Sequence, residues 1–285
     1  VLRSIGFNRM SLGVQDFDPA VQKAVNRIQS EEETAYVINA ARSEGFKSIS
    51  IDLIYGLPFQ SVDSFDRTLD SVLELSPDRL SVFNYAHLPE LFKPQRRINA
   101  EELPTPDEKL AILKHCIDRL TAAGYIYIGM DHFAKPDDEL AVAQANGTLY
   151  RNFQGYSTHA NCDLIALGIT SISMVANCYA QNLKTLDDYY ARIDANELAV
   201  FRGVSLTQED ILRREVINQL ICNFVLRMSQ IEKQFGITFR EHFSQELEEL
   251  KPMQQDGLLE LTDDICMVFD AYLRAQKEQR FSRVI

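Results

Sequence analysis

Residues 48–60, SISIDLIYGLPFQ, constrain the fold more than any other stretch of the chain. Their side chains alternate by twos, with Ile49, Ile51, Leu53 and Tyr55 on one face of an extended strand and Ser50 and Asp52 on the other. Gly56 and Pro58 end the strand and open a loop before the next helical pattern. A strand with one apolar and one polar face, set between two helices, predicts a barrel or half-barrel of parallel strands. Its apolar face packs on the helix layer and its polar face, with Asp52, looks into a cavity.

The segment Arg9–Gln15 (RMSLGVQ) follows the same logic, with Met10, Leu12 and Val14 on one face and Ser11, Gly13 and Gln15 on the other. Two strands that turn small or polar residues inward leave room for a ligand. Asp18-Pro19 reads as a helix start that carries Arg27 about two turns on. Ser30-Glu31-Glu32-Glu33 is a capping box for a helix with Thr34, Val37, Ile38 and Ala41 on one face. Phe65, Leu69, Val72 and Leu73 mark another amphipathic helix, and residues 79–86 (RLSVFNYA) a third strand. Thr105-Pro106 opens a helix through Leu110, Leu113, Ile117 and Leu120, and residues 125–132 (YIYIGMDH) read as a fourth strand. The strand–helix–strand order is that of a parallel sheet.

The character changes near Pro136. A short helix over residues 136–145 leads into irregular chain, and residues 164–176 are small and apolar without a clear period. Helices dominate from Thr207, including residues 239–250, with a short strand over 257–261. The expected organisation is therefore α/β: a partial parallel (β/α) barrel with extensions over residues 1–200, then a mainly helical accessory domain over 201–285.

The formal charge of −12 argues against nucleic acid as a partner through the overall field. No run of about twenty apolar residues is present, which sets aside a membrane-spanning helix. Cys116, Cys162, Cys178, Cys222 and Cys266 are scattered, without CxxC or CxxxCxxC spacing, so they read as buried small side chains in a reducing cytoplasm. On physical grounds alone, a cavity lined by Gln15 and Asp52 with Arg27 nearby suits a ligand with a ribose and a carboxylate.

The stretches SLGVQDF, VNRIQ, IDLIYGLP, LSVFNYAHLP, GMDHFAKPDDELAVAQ, RNFQGY and the terminal FSRVI resemble the oxygen-independent coproporphyrinogen III oxidases (coproporphyrinogen dehydrogenases). These are oxidoreductases of the radical S-adenosylmethionine superfamily, and the likeness runs through the whole chain. It implies a barrel of that superfamily and conversion of two propionates of coproporphyrinogen III to vinyls, giving protoporphyrinogen IX in haem biosynthesis. It further implies two S-adenosylmethionine molecules per active site, a [4Fe–4S] cluster, an electron donor for that cluster and a monomer. By the resemblance Gln15, Arg27, Asp52, Ala86 and Ile172 contact S-adenosylmethionine, with Gln154 a further candidate; no catalytic residue and no metal ligand is assigned. Lys93, Arg96 and Arg97 are basic residues in the loop that follows the third strand. The family's CxxxCxxC and GGGTP stretches precede the position matching Val1, so the cluster ligands are expected upstream and this stretch alone is expected to be inactive. Only Thr262-Asp263-Asp264 lie between Leu261 and Ile265, where the family has a longer hairpin. The alternative reading is a haem chaperone of the same superfamily.

Overall fold

The computed structural model describes residues 1–160 and 162–268; FSRVI, at 281–285, lies outside them. The described chain falls into two compact units, Val1–Val142 and the described part of residues 143–270.

The first unit carries β1 (Arg9–Gln15), α1 (Pro19–Ala24), α2 (Glu31–Ser43), β2 (Ser48–Tyr55), α3 (Val62–Leu75), β3 (Arg79–Asn84), α4 (Pro106–Ala122), β4 (Ile126–Gly129), β5 (His132–Ala134) and, at its end, α5 (Glu139–Ala145). The sheet order is β1-β2-β3-β5-β4. β1, β2 and β3 are parallel, as the strand–helix–strand order predicts. The expected single strand over 125–132 is instead two strands, and β5 runs antiparallel to both β3 and β4. Gly129 and Met130 take left-handed conformations (φ 132° and 53°), which fold the chain back within two residues. The Tyr127 hydroxyl closes this corner by donating to the Met130 carbonyl at 2.7 Å.

Ile49, Ile51 and Leu53 of β2 and Leu80 and Val82 of β3 form the floor of one core, under Ile38, Phe65, Leu69, Val72, Ile112, Cys116 and Leu120 from α2, α3 and α4. Each such side chain contributes roughly 1.5–3 kcal/mol on burial. Ser30 with Glu33 and Thr105 with Glu108 form complete capping boxes at the starts of α2 and α4. Two expected core positions face outward, Val37 and Leu110. In α4 the buried stripe is Ile112, Cys116 and Leu120, spaced by fours, and that spacing turns Leu110 to the opposite side. Arg27 is also not on a helix: α1 ends at Ala24, and the Arg27 amide donates to the Gln22 carbonyl at 2.9 Å as the chain leaves it.

The second unit contains β6 (Tyr150–Asn152), β7 (Gly155–Ser157), β8 (Ile172–Val175), β9 (Cys178–Asn182), α6 (Leu186–Asp194), β10 (Val200–Ser205) and α7 (Gln208–Asn223). It continues with β11 (Val225–Arg227), α8 (Met228–Phe235), α9 (Phe239–His242), α10 (Ser244–Glu249), α11 (Lys251–Gln255), β12 (Leu259–Leu261) and β13 (Ile265–Val268). Its sheets are the β6–β7 hairpin and two antiparallel sheets ordered β10-β9-β8 and β11-β13-β12. The boundary read from sequence near residue 200 lies inside this unit, at the start of β10. The helix expected over 239–250 breaks at Phe243, whose ring is buried with Leu212, Ile231 and Phe239 in a separate core. Thr262-Asp263-Asp264 suffice to join β12 to β13: the Thr262 amide donates to the Ile265 carbonyl at 2.8 Å and Leu261 pairs with Cys266. Of the cysteines, Cys116, Cys222 and Cys266 are buried as expected, whereas Cys162 and Cys178 are exposed.

Candidate functional site

The parallel pairing of β1 with β2 sets Gly13 opposite Asp52 and Ser11 opposite Ser50. These residues share the sheet face turned away from the core, because Val14, Ile51 and Leu53 alternate into it. The Ser11 hydroxyl donates to Asp52 Oδ2 at 3.0 Å. Between Gly13 and Gln15 the register shifts by one residue, and Gln15 takes φ 71°. This left-handed residue at a strand end is unusual for a side chain other than glycine, and it aims the Gln15 amide back over Gly13.

Gly13 has no side chain for a reason that the geometry makes plain. A Cβ there would sit 2.6 Å from Gln15 Nε2 and 3.2 Å from Arg27 Nη2. Arg27 reaches in from beyond α1 and donates from Nη2 to the Gly13 carbonyl at 2.6 Å. A carboxylate, a hydroxyl, a carboxamide and a guanidinium thus converge around one glycine. Three residues named from sequence, Gln15, Arg27 and Asp52, are brought together. Ser11 and Gly13 were missed as site residues, although their place four and two residues before Gln15 on the same face was the available signal.

A buried network fixes the end of β1. Asp16, 1% exposed, accepts from the Asp18 amide at 2.8 Å, the Thr68 hydroxyl at 2.6 Å and the Gln60 carboxamide at 2.5 Å. Gln60 also donates to the Ile54 carbonyl and accepts from the Leu57 amide, so the loop after β2 is tied to the end of β1. Burial pushes the Asp16 carboxyl above its ordinary value, against the pull of the hydrogen bonds from Asp18, Thr68 and Gln60. Asp16 holds the frame on which Gln15 is mounted.

Ala86 lies two residues past β3, exposed, at the same end of the sheet as Gln15, and its carbonyl accepts from Gln95 Nε2 at 3.0 Å. Gln154 and Ile172 belong to the second unit: Gln154 is exposed in the β6–β7 turn and Ile172 begins β8, partly buried. Arg96, in the basic loop, folds onto its own chain and donates to the Pro89 carbonyl at 3.1 Å.

The donor set around Gly13 fits an adenosylmethionine-type ligand: a carboxylate suits a ribose diol, and a guanidinium suits an amino-acid carboxylate. It does not suit an iron–sulfur cluster, which takes thiolates. Among the described residues no group of three His, Cys, Asp or Glu side chains is arranged to hold a metal.

The radical S-adenosylmethionine superfamily model matches residues 1–72. A second model, the HemN C-terminal domain, matches residues 206–267. An oxygen-independent coproporphyrinogen III oxidase of Pseudomonas aeruginosa is 54% identical over the whole chain, which covers 65% of that relative. The Escherichia coli enzyme of the same name is 52% identical, again with 65% of it covered. The one from Thermostichus vulcanus is 48% identical over 99% of the chain and 92% of the relative. The solved Escherichia coli coproporphyrinogen III oxidase, described as a radical SAM enzyme, superposes with a TM-score of 0.90 at 53% identity, covering 94% of this chain and 62% of that one. The chain belongs to the oxygen-independent coproporphyrinogen III oxidase family. It spans 65% of the length of the first two of these relatives.

Proposed function

We propose that the protein of which this chain is a part performs the oxygen-independent oxidative decarboxylation of two propionates of coproporphyrinogen III, yielding protoporphyrinogen IX. What carries the reading is the meeting of Ser11, Gln15, Arg27 and Asp52 around Gly13 in a chain whose relatives bear that enzyme's name. When bound, S-adenosylmethionine with a reduced [4Fe–4S] cluster supplies the radical that removes hydrogen from a propionate. Asp52 accepts hydroxyls of the ribose while Ser11 donates to it and fixes its rotamer. Arg27 pairs with the ligand's carboxylate, Gln15 hydrogen-bonds the ligand over the space that Gly13 leaves open, and Ala86 offers a small side chain for close approach. Ile172, with Gln154 as a further candidate, also contacts S-adenosylmethionine, of which the proposed active site holds two. The cluster's ligands belong to the part of the relatives that this chain does not span.

The proposal extends to an electron donor for the cluster, a monomer, a cytoplasmic location and no nucleic-acid partner. The excess of acidic residues supports the last of these. The division into residues 1–200 and 201–285 is kept as a reading of sequence modules, supported by the C-terminal model's start at 206.

Anaerobic assay of the full-length enzyme tests the reading through Asp52→Ala. Loss of a charge-assisted hydrogen bond, worth about 1.5–3 kcal/mol, weakens S-adenosylmethionine binding roughly tenfold to a hundredfold. The far-ultraviolet circular dichroism stays unchanged, because Asp52 is outside the core. Cleavage and affinity at the wild-type level would remove Asp52 from the site, and failure of the wild-type enzyme to form protoporphyrinogen IX would remove the function.

A further inference from the structure

The second unit holds a cavity of about 460 Å³, in the size range of small-ligand sites. Tyr150, Phe153, Met174, Tyr179 and Ile217 give it aromatic and aliphatic walls, and Arg151 and Arg214 line it as well. In a chain with 41 acidic against 29 basic residues, these two guanidiniums have no carboxylate within ion-pair distance among the described residues. Their neighbour Arg213 differs: it is paired with Glu209 at 2.5 Å and Glu246 at 2.7 Å. Asp210, the acidic residue in the lining, is bound instead by Thr207 in the cap of α7, whose amide and hydroxyl donate to it at 2.8 and 2.7 Å.

Arg151 lies with its guanidinium carbon 4.9 Å from the centre of the Tyr156 ring. Its Nη1 is shielded from solvent and has no hydrogen-bond acceptor. A shielded guanidinium donor without an acceptor is costly, so a site that keeps one gains strongly when an anion completes it. Among the described residues the Arg214 guanidinium donates only to the Tyr179 hydroxyl, at 3.4 Å, which is a long contact for so strong a donor. Apolar, ring-lined walls beside two uncommitted guanidiniums match a ligand with a flat apolar body and a carboxylate at its edge.

We propose that this cavity binds a propionate-bearing edge of a tetrapyrrole, with Arg151 and Arg214 pairing with the propionate carboxylate. The identity of the tetrapyrrole rests on the function proposed above; the carboxylate preference rests on the cavity alone. Binding energy from such an anchor positions the macrocycle without touching the reacting carbon.

The test is fluorescence titration of the full-length holoenzyme with coproporphyrin III and with its tetramethyl ester, which keeps the macrocycle and removes the negative charges. Arg214→Gln and Arg151→Ala are expected to weaken the acid roughly tenfold to a hundredfold and to leave the ester's affinity at the wild-type level. Arg151→Lys restores part of the loss, since charge returns without the planar fork, and thereby separates a binding role from a packing one. S-adenosylmethionine affinity, measured by equilibrium dialysis, stays the same in all three variants. Equal losses for acid and ester, no loss for the acid, or a loss confined to S-adenosylmethionine would each overturn the assignment. If the variants bind the acid normally while the wild type makes protoporphyrinogen IX, the cavity assignment fails and the function stands. A wild type that neither binds the acid nor converts coproporphyrinogen III loses both.

Discussion

The two units hold their polar groups in opposite ways. In the first, the polar side chains of the site engage one another and the backbone: Ser11 with Asp52, Arg27 with the Gly13 carbonyl. Ser11 and Asp52 sit on neighbouring strands of a sheet backed by a large core, and Arg27 reaches them from beyond α1. In the second, Arg151 and Arg214 come from a short hairpin strand and a helix, and neither has a carboxylate within ion-pair distance among the described residues. Mutually satisfied groups preorganise a site, whereas unsatisfied charge stores affinity for an oppositely charged partner. On the readings proposed above, the difference separates a cofactor cradle from an anion-accepting pocket.

Removing the support of the first unit gives the largest expected effect. Phe65 is fully buried in its core, so Phe65→Ala costs about 3–5 kcal/mol. Chemical denaturation should show the first unit's transition moving to lower denaturant while that of the second, with its own core around Phe239 and Phe243, keeps its place. A joint shift would mean that the units do not unfold separately.

Asp16→Ala is next, at about 2–3 kcal/mol, because it leaves the buried Gln60 and Thr68 donors without their acceptor. The pH dependence has a definite sign. Burial raises the folded carboxyl above 3.8, so the folded state holds the proton more tightly than the unfolded one. The stability this group contributes is complete below 3.8 and declines as pH rises through the raised value. Denaturation midpoints of wild type and variant measured upward from pH 3 should therefore draw closer as pH increases; a gap that widens would reverse the assignment.

Gly13→Ala has the smallest expected effect and is the most selective. The new methyl would meet the movable end of Gln15 and the Arg27 guanidinium instead of backbone. S-adenosylmethionine affinity in the full-length enzyme is expected to fall roughly tenfold, equivalent to about 1.4 kcal/mol, with the thermal midpoint nearly unchanged. An unaltered affinity would show that the space over Gly13 is not part of the cradle.

Much of the first unit was legible because the signals are local. Alternation in residues 9–15 and 48–55 has a period of two whatever surrounds it, and Ser30 and Thr105 cap helices through hydrogen bonds three residues away. The hairpin hidden in YIYIGMDH was not legible, since its apolar pattern is shared by one long strand and two short ones, and the left-handed Gly129 and Met130 decide between them. Leu110 misled in the same way: a helical stripe can be drawn through it, but the sheet beneath α4 selects Ile112, Cys116 and Leu120.

The sequence by itself determined the strand faces and the caps, because each depends on neighbours along the chain. Tertiary structure alone decided that Arg27 swings in from beyond α1 to reach the Gly13 carbonyl, and that Asp16 ties the end of β1 to Gln60 and Thr68. It likewise decided that Arg151 and Arg214, 63 residues apart in sequence, line one cavity whose lining carboxylate, Asp210, is engaged by Thr207 instead. Those contacts join residues from 14 to 63 positions apart, and no periodic pattern in a chain encodes which distant side chains packing will bring within hydrogen-bond reach.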